Sequence, residues 1–177
     1  MFQRMSYLVF ALLSLVGCAS NTIVVRVDDN GPETREVQKM DCRVYDTRGE
    51  GMRSGIDFGI LFGLVHGGPP AEQAKLSGAK WDRGVNQMVG QYKELCSRFN
   101  SGGISQSAYN QRLAEIDQLW AEAQGIRQSA DEVIRTHGRE SFAELDRSTP
   151  DSPAAATDQR QSIVVAIDAL VIKLGGQ

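Results

Sequence analysis

The sequence predicts a mainly α-helical fold: a long antiparallel helical hairpin, preceded by a small N-terminal β-hairpin and followed by a C-terminal helix. Two runs of apolar residues at alternating spacings of four and three predict the long helices. A Gly-Gly turn between them predicts that they fold back on one another, and a period-two pattern near the start predicts the strands. The 177 residues are 41% hydrophobic and 23% charged, a balance that excludes wholesale disorder and a polytopic membrane protein. A net charge of −3 argues against nucleic acid, which needs a basic surface to displace phosphate counterions.

Residues 18–46 carry a tether and the predicted strands. Ile23, Val25 and Val27 alternate with Val24, Arg26 and Asp28; Met40, Cys42 and Val44 alternate with Asp41, Arg43 and Tyr45. Asp29-Asn30-Gly31-Pro32 supplies turn residues between the two runs. A lone hairpin is marginal in water, so this one must lean on the helices.

Residues 47–70 are rich in glycine. Gly51, Gly55, Gly59, Gly63 and Gly67 recur every four residues, with Ile56, Phe58, Leu61 and Phe62 among the apolar residues between them. On one helix they would form a stripe without side chains, where another backbone can approach closely. The spacing is similar to a glycine zipper, which implies tight packing or self-association in membranes. Close packing within the fold, a buried loop or short helix beneath the bundle, and membrane insertion all stay open. Against insertion, Arg53 and Asp57 would each cost about 2.5–3.5 kcal/mol at a bilayer centre. Asp57 is expected to mark where the segment meets water rather than to pair with His66. Gly49-Glu50-Gly51 with Gly55 lacks the spacing of a dinucleotide loop.

Residues 71–147 are the helical hairpin. Trp81, Val85, Met88, Tyr92, Leu95 and Phe99 form the first seam, with the helix expected over 71–100. Asn100-Ser101-Gly102-Gly103 ends it and Ser105 is the expected N-cap of the next helix. Tyr109, Leu113, Ile116, Trp120 and Ala123 form the second seam. Ile126, Ala130 and Val133 continue it after a slip at Gln124-Gly125, expected to bend or overwind the pair. The seam weakens beyond His137-Gly138, with Phe142 and Leu145 its last apolar points. From Leu95 through Phe99, Gly102, Ile104-Ser105 and Tyr109 to Leu113 the turn resembles the short C-terminal oligomerisation-like (SHOCT) motif, although Ala108 stands where that motif has an acidic residue. The resemblance implies association rather than catalysis.

Residues 148–158 have the composition of a linker. Residues 159–177 place Ile163, Ile167, Leu170 and Leu174 on one helical face, although their β-branched neighbours leave a strand possible. Docking on the hairpin is expected; a tethered helix that finds a partner's groove is the alternative.

The first seventeen residues have one base, Arg4, then an apolar run from Tyr7 to Val16, too short to span a bilayer. Leu15-Val16-Gly17-Cys18 follows and resembles the lipobox of bacterial lipoproteins. The resemblance implies cleavage before Cys18, acylation of its thiol and anchoring to a membrane without spanning it. Ala19-Ser20 after the cysteine, with no aspartate, implies the outer membrane, facing the periplasm, with surface display the alternative. Removal of residues 1–17 takes away Arg4 and no acid, so the mature charge becomes −4. With Cys18 acylated, Cys42 and Cys96 remain as an even pair in an oxidising compartment, where a disulfide is expected. Two buried thiols are the alternative.

Motifs for catalysis are missing from the sequence. His66 and His137 lack metal-ligand spacing, and His137 is expected to favour a helix C-terminus. Arg112, Glu115 and Asp117 read as solvated charges, and Trp81 and Trp120 as core or interface anchors. No enzyme, cofactor or metal is expected. The functional expectation is a lipid-anchored envelope protein with a structural or interaction role, its partner an envelope protein or a second copy. A glycine-zipper, pore-associated protein is the alternative, and a periplasmic small-ligand binder or enzyme is the weakest reading.

Overall fold

The computed structural model describes residues 21–62, 69–137 and 153–175. Strands β1 (Thr22–Arg26) and β2 (Thr34–Gln38) are followed by helices α1 (Val44–Arg53), α2 (Phe58–Phe62), α3 (Pro69–Asn100), α4 (Gln106–His137) and α5 (Pro153–Gly175). The chain is mainly helical, as predicted.

Helix α3 opens on Pro69-Pro70, whose missing N–H groups a first turn does not use. It ends in a Schellman turn. Gly102 adopts φ +71°, its N–H donates to the Phe99 carbonyl (2.9 Å), and the Gly103 N–H donates to the Arg98 carbonyl (2.9 Å). Ser105 then caps α4, its Oγ accepting the Ala108 N–H at 3.1 Å. The two helices therefore run antiparallel, with Trp81, Val85, Met88, Tyr92, Leu95 and Phe99 buried against Tyr109, Ile116, Trp120 and Ala123.

Both flanks of this hairpin are covered. On one flank α1 and α2 run opposite to α3: Asp46 pairs with Lys93, Gly49 meets Val89 and Phe58 meets Gly78. On the other, α5 runs parallel to α3, with Asp168 paired to Lys80 (2.6 Å) and with Val171 and Leu174 against Gly84. Ile163, Ile167, Leu170 and Leu174 are all buried, so α5 docks as expected. The register slip at Gln124-Gly125 leaves α4 helical throughout. It turns the buried stripe through Ala130 and Val133 toward α5, where Val133 and Ile163 share a groove.

Three sequence expectations need correction. Residues 40–46 are not a strand; β2 lies earlier, paired antiparallel with β1 in the register Ile23↔Val37 and Val25↔Arg35. Only one face of the sheet packs, so β2 needs a single apolar residue, Val37, and carries little strand signal. Asp41 instead accepts the Arg43 N–H (3.0 Å) and turns the chain into α1. The glycine stripe is also interrupted. Gly51 lies in α1, Gly55 in the break, where the Asp57 carboxylate caps α2 through the Ile60 N–H, and Gly59 in α2. Asp57 is exposed, as predicted. Finally, α5 starts at Pro153, inside the expected linker, because Pro followed by three alanines opens a helix readily. Cys18, Gly63, His66, Gly67, Phe142, Leu145 and the side chain of His137 lie outside the described residues.

Two neighbouring glycines separate packing from propensity. A Cβ on Gly49 would sit 2.5 Å from Val89 Cγ2, whereas one on Gly51 would meet nothing within 4 Å. Gly51→Ala is expected to raise the unfolding free energy in urea by up to about 1 kcal/mol through helix propensity. Gly49→Ala is expected to lower it by about 1–3 kcal/mol through overpacking. Equal shifts would show that Gly49 does not set the α1–α3 distance.

Candidate functional site

Cys42, Cys96 and four of the aromatic residues singled out in the sequence fall into two neighbouring groups toward the turn end of the bundle. The first is the cysteine pair. Cys42 and Cys96 are disulfide-bonded, with Cα atoms 5.8 Å apart. The bridge spans 54 residues, a separation worth roughly 4 kcal/mol in the chain-entropy model. Asn100, one turn beyond Cys96, clamps the same loop. Its Oδ1 accepts the Met40 N–H (2.9 Å) and its Nδ2 donates to the Met40 carbonyl (2.8 Å). The β-hairpin rests on the α3–α4 turn beside this clamp. Ser107 N–H donates to the Val27 carbonyl at 3.1 Å, and Val25 is buried.

The second group is aromatic. Tyr45 stacks on Tyr92 with ring centroids 4.6 Å apart, and Tyr92 meets Trp120 edge-on at 6.0 Å. Arg48, one turn after Tyr45, lays its guanidinium 4.4 Å from the Trp120 ring centroid and 5.3 Å from that of Tyr92. The Tyr92 hydroxyl donates to Asp117 Oδ1 at 2.5 Å, and Arg48 Nη1 lies 3.7 Å from the same oxygen. Phe99 and Tyr109 extend the cluster, their centroids 4.5 Å apart. Trp81 lies further along α3 and donates its indole N–H to the Met52 carbonyl at 3.2 Å.

All five predicted aromatic anchors are thus buried within the chain itself. Gly55 is a packing position of another kind: the stem of Arg127 passes over it, 2.6 Å from where a Cβ would stand. Asp117 is half exposed but engaged, which its place among solvated charges did not show. Arg48 was missed. Its partners lie 44 and 72 residues away in sequence, and no local pattern marks a cation–π contact.

The chemistry of the cluster is that of a clamp. Burial first, and then the hydrogen bond to Asp117, pushes the Tyr92 pKa well up. Burial likewise raises that of Tyr109, whose hydroxyl has the Tyr45 phenol as a neighbour but not in hydrogen-bonding geometry. Phenols held protonated donate hydrogen bonds and are poor nucleophiles. Elsewhere, a groove of about 600 Å³ runs between α4 and α5, lined by Gly125, Ser129, Glu132, Val133, Ser162 and Ile163. Its one carboxylate is engaged: Arg135 and then Thr136 hold Glu132 below its ordinary pKa. Among the described residues no three His, Cys, Asp or Glu side chains are grouped to share a metal ion. Among them, too, no helix is long and apolar enough to cross a membrane.

Two outcomes follow from the aromatic cluster. Arg48→Ala is expected to cost about 1 kcal/mol in urea unfolding and to shift Trp120 emission, with Arg48→Lys restoring only part. The pH profile has a definite sign. The folded pKa values of Tyr92 and Tyr109 lie above the unfolded value of 10.0, so their contribution is complete below pH 10.0 and is lost as pH climbs beyond it. Phenolate absorbance should show these two tyrosines ionising late in the folded chain and normally in urea; ordinary titration in both states would contradict the clamp. No family model matches this chain, and no characterised protein or solved structure shows significant similarity to it.

Proposed function

We propose that this is a lipid-anchored protein of the bacterial envelope, facing the periplasm from the outer membrane, that holds or joins other envelope components and does not catalyse a reaction. The observation that carries this reading is Leu15-Val16-Gly17-Cys18 at the end of a short apolar run. Two acyl chains on one cysteine suffice for stable anchoring. The Cys42–Cys96 bridge supports the compartment, since such bonds persist where thiols are oxidised. The body also suits a scaffold. Trp81, Tyr92, Phe99, Tyr109 and Trp120 are engaged internally, and the bundle is held on both flanks by ion pairs to α3 and α4. A protein of the envelope, or a second copy, is the partner this reading calls for. The alternative, glycine-zipper reading gains no support from Gly51, Gly55 and Gly59, which do not share a helix.

Fractionation of the native cells tests the anchor. The wild type should sediment with membranes, and Cys18→Ser should remain uncleaved, with Met1 still at its N-terminus. Mass spectrometry of the wild-type peptide beginning at Cys18 should show the added acyl mass. In-cell crosslinking followed by pull-down then reads the partner. An unmodified Cys18 thiol in wild-type protein would end the proposal.

A further inference from the structure

We infer that the hairpin end of the bundle is a lipid-contact surface, with Val24, Met40 and Val44 entering the boundary between headgroups and acyl chains. This rests on the anchor at Cys18 and adds to it a specific docked face. The first argument is chain length. Thr22, the first residue of β1, is four residues after Cys18, and four extended residues reach at most about 14 Å. An acylated Cys18 therefore keeps the start of β1 close to the bilayer whatever path the tether takes.

The second argument is what surrounds the point where the tether meets the body. The Lys39 N–H donates to the Asn21 carbonyl at 2.7 Å, so the chain enters beside Lys39 and Met40. Met40 is 36% exposed, Val44 at the start of α1 is 59% exposed, and Val24 on the outer face of β1 is 64% exposed. These are apolar side chains with no cover at the end of the molecule that the tether holds down. They are also held firmly. The Asn100 clamp fixes Met40, the disulfide fixes the residues before Val44, and β2 fixes Val24. Apolar groups presented on a rigid support lose little conformational freedom on insertion.

Charge selects the kind of contact. Acids outnumber bases by six to four across residues 21–46, so attraction to anionic lipid is not what holds this face down. The contact is apolar and shallow, within the ~5–10 Å that interfacial elements penetrate. Leu76 provides the contrast. It is 58% exposed on α3, but 24 residues before Asn100, roughly 36 Å along the helix from the hairpin end.

Fluorescence quenching in vesicles tests the inference. The full acylated chain, purified from its own membranes with the mass at Cys18 verified, is reconstituted in phosphatidylcholine vesicles whose acyl chains carry bromine near the headgroup end. Val24→Trp, Met40→Trp and Leu76→Trp each add one exposed indole to the buried Trp81 and Trp120, which serve as a common background. Unchanged helical circular dichroism shows that the variants fold. The expected result is loss of the added emission at positions 24 and 40, insensitive to salt, and none at 76. Equal quenching at all three, or none at 24 and 40 in a chain whose Cys18 is acylated, overturns the contact surface and leaves the anchor standing. A bare Cys18 overturns the anchor, and the surface with it.

Discussion

The surface of α3 is the constraint from which the rest of the architecture follows. One 32-residue helix buries Trp81, Val85, Met88, Tyr92, Leu95 and Phe99 along one face, too long a stripe for any short element to cover. Only a second helix of the same length can match it, and α4 does. Small residues on the flanks of α3 then decide what else can dock. Gly78 receives Phe58, and Gly84 receives Val171 and Leu174. Gly49 completes the set from the opposite side, letting α1 close onto Val89. Glycine in a helix costs about 1 kcal/mol relative to alanine, and here that cost is offset by burial of the larger side chains that the gaps admit.

The turn end of the bundle is bound more heavily than its size suggests. Within a few residues of Gly102 lie a Schellman turn, a serine cap, an amide clamp on Met40, a disulfide and a hairpin seated on Ser107. The Arg48 cluster lies one or two helical turns further along α3. A guanidinium between two rings and a carboxylate joins α1, α3 and α4 at one point: Arg48 stands on α1 and its three contacts reach α3 and α4. The arrangement concentrates rigidity where the tether arrives; further along α3 the Lys80–Asp168 pair and the Trp81 hydrogen bond to Met52 supplement helix packing.

The helical hairpin, its turn, the cap at Ser105, the bridge between Cys42 and Cys96 and the buried face of α5 were legible, because each writes a local signal into the sequence. Periodicity marks a stripe, Gly-Gly marks a stop, and an even pair of cysteines marks a bond. The remainder was not local. β2 needs one partly buried residue, Val37, so Thr34–Gln38 looks like polar loop, while Met40–Tyr45 alternates by chance and is bent aside by Asp41. The glycines of residues 47–70 do share a period, yet Ser54, Gly55 and Asp57 break the helix that would have aligned them. Arg48 and Asp117 each resemble any surface charge until the fold brings them to Tyr92 and Trp120. For the candidate site, then, the sequence supplied the aromatic residues and the tertiary structure supplied the charges between them.

The burial of Cys96 makes the bridge open from one side only. Its sulfur is fully shielded, beneath the loop that Asn100 holds by two hydrogen bonds. Cys42, its partner, is only partly buried, so a thiol in solution meets the bond at that sulfur and not at Cys96. Exchange with passing thiols therefore has one sulfur to attack while the 40–43 loop stays on α3, and the packed helix shields the other. Chemical access to this corner of the fold thus runs through a single atom of the loop and not through the helix.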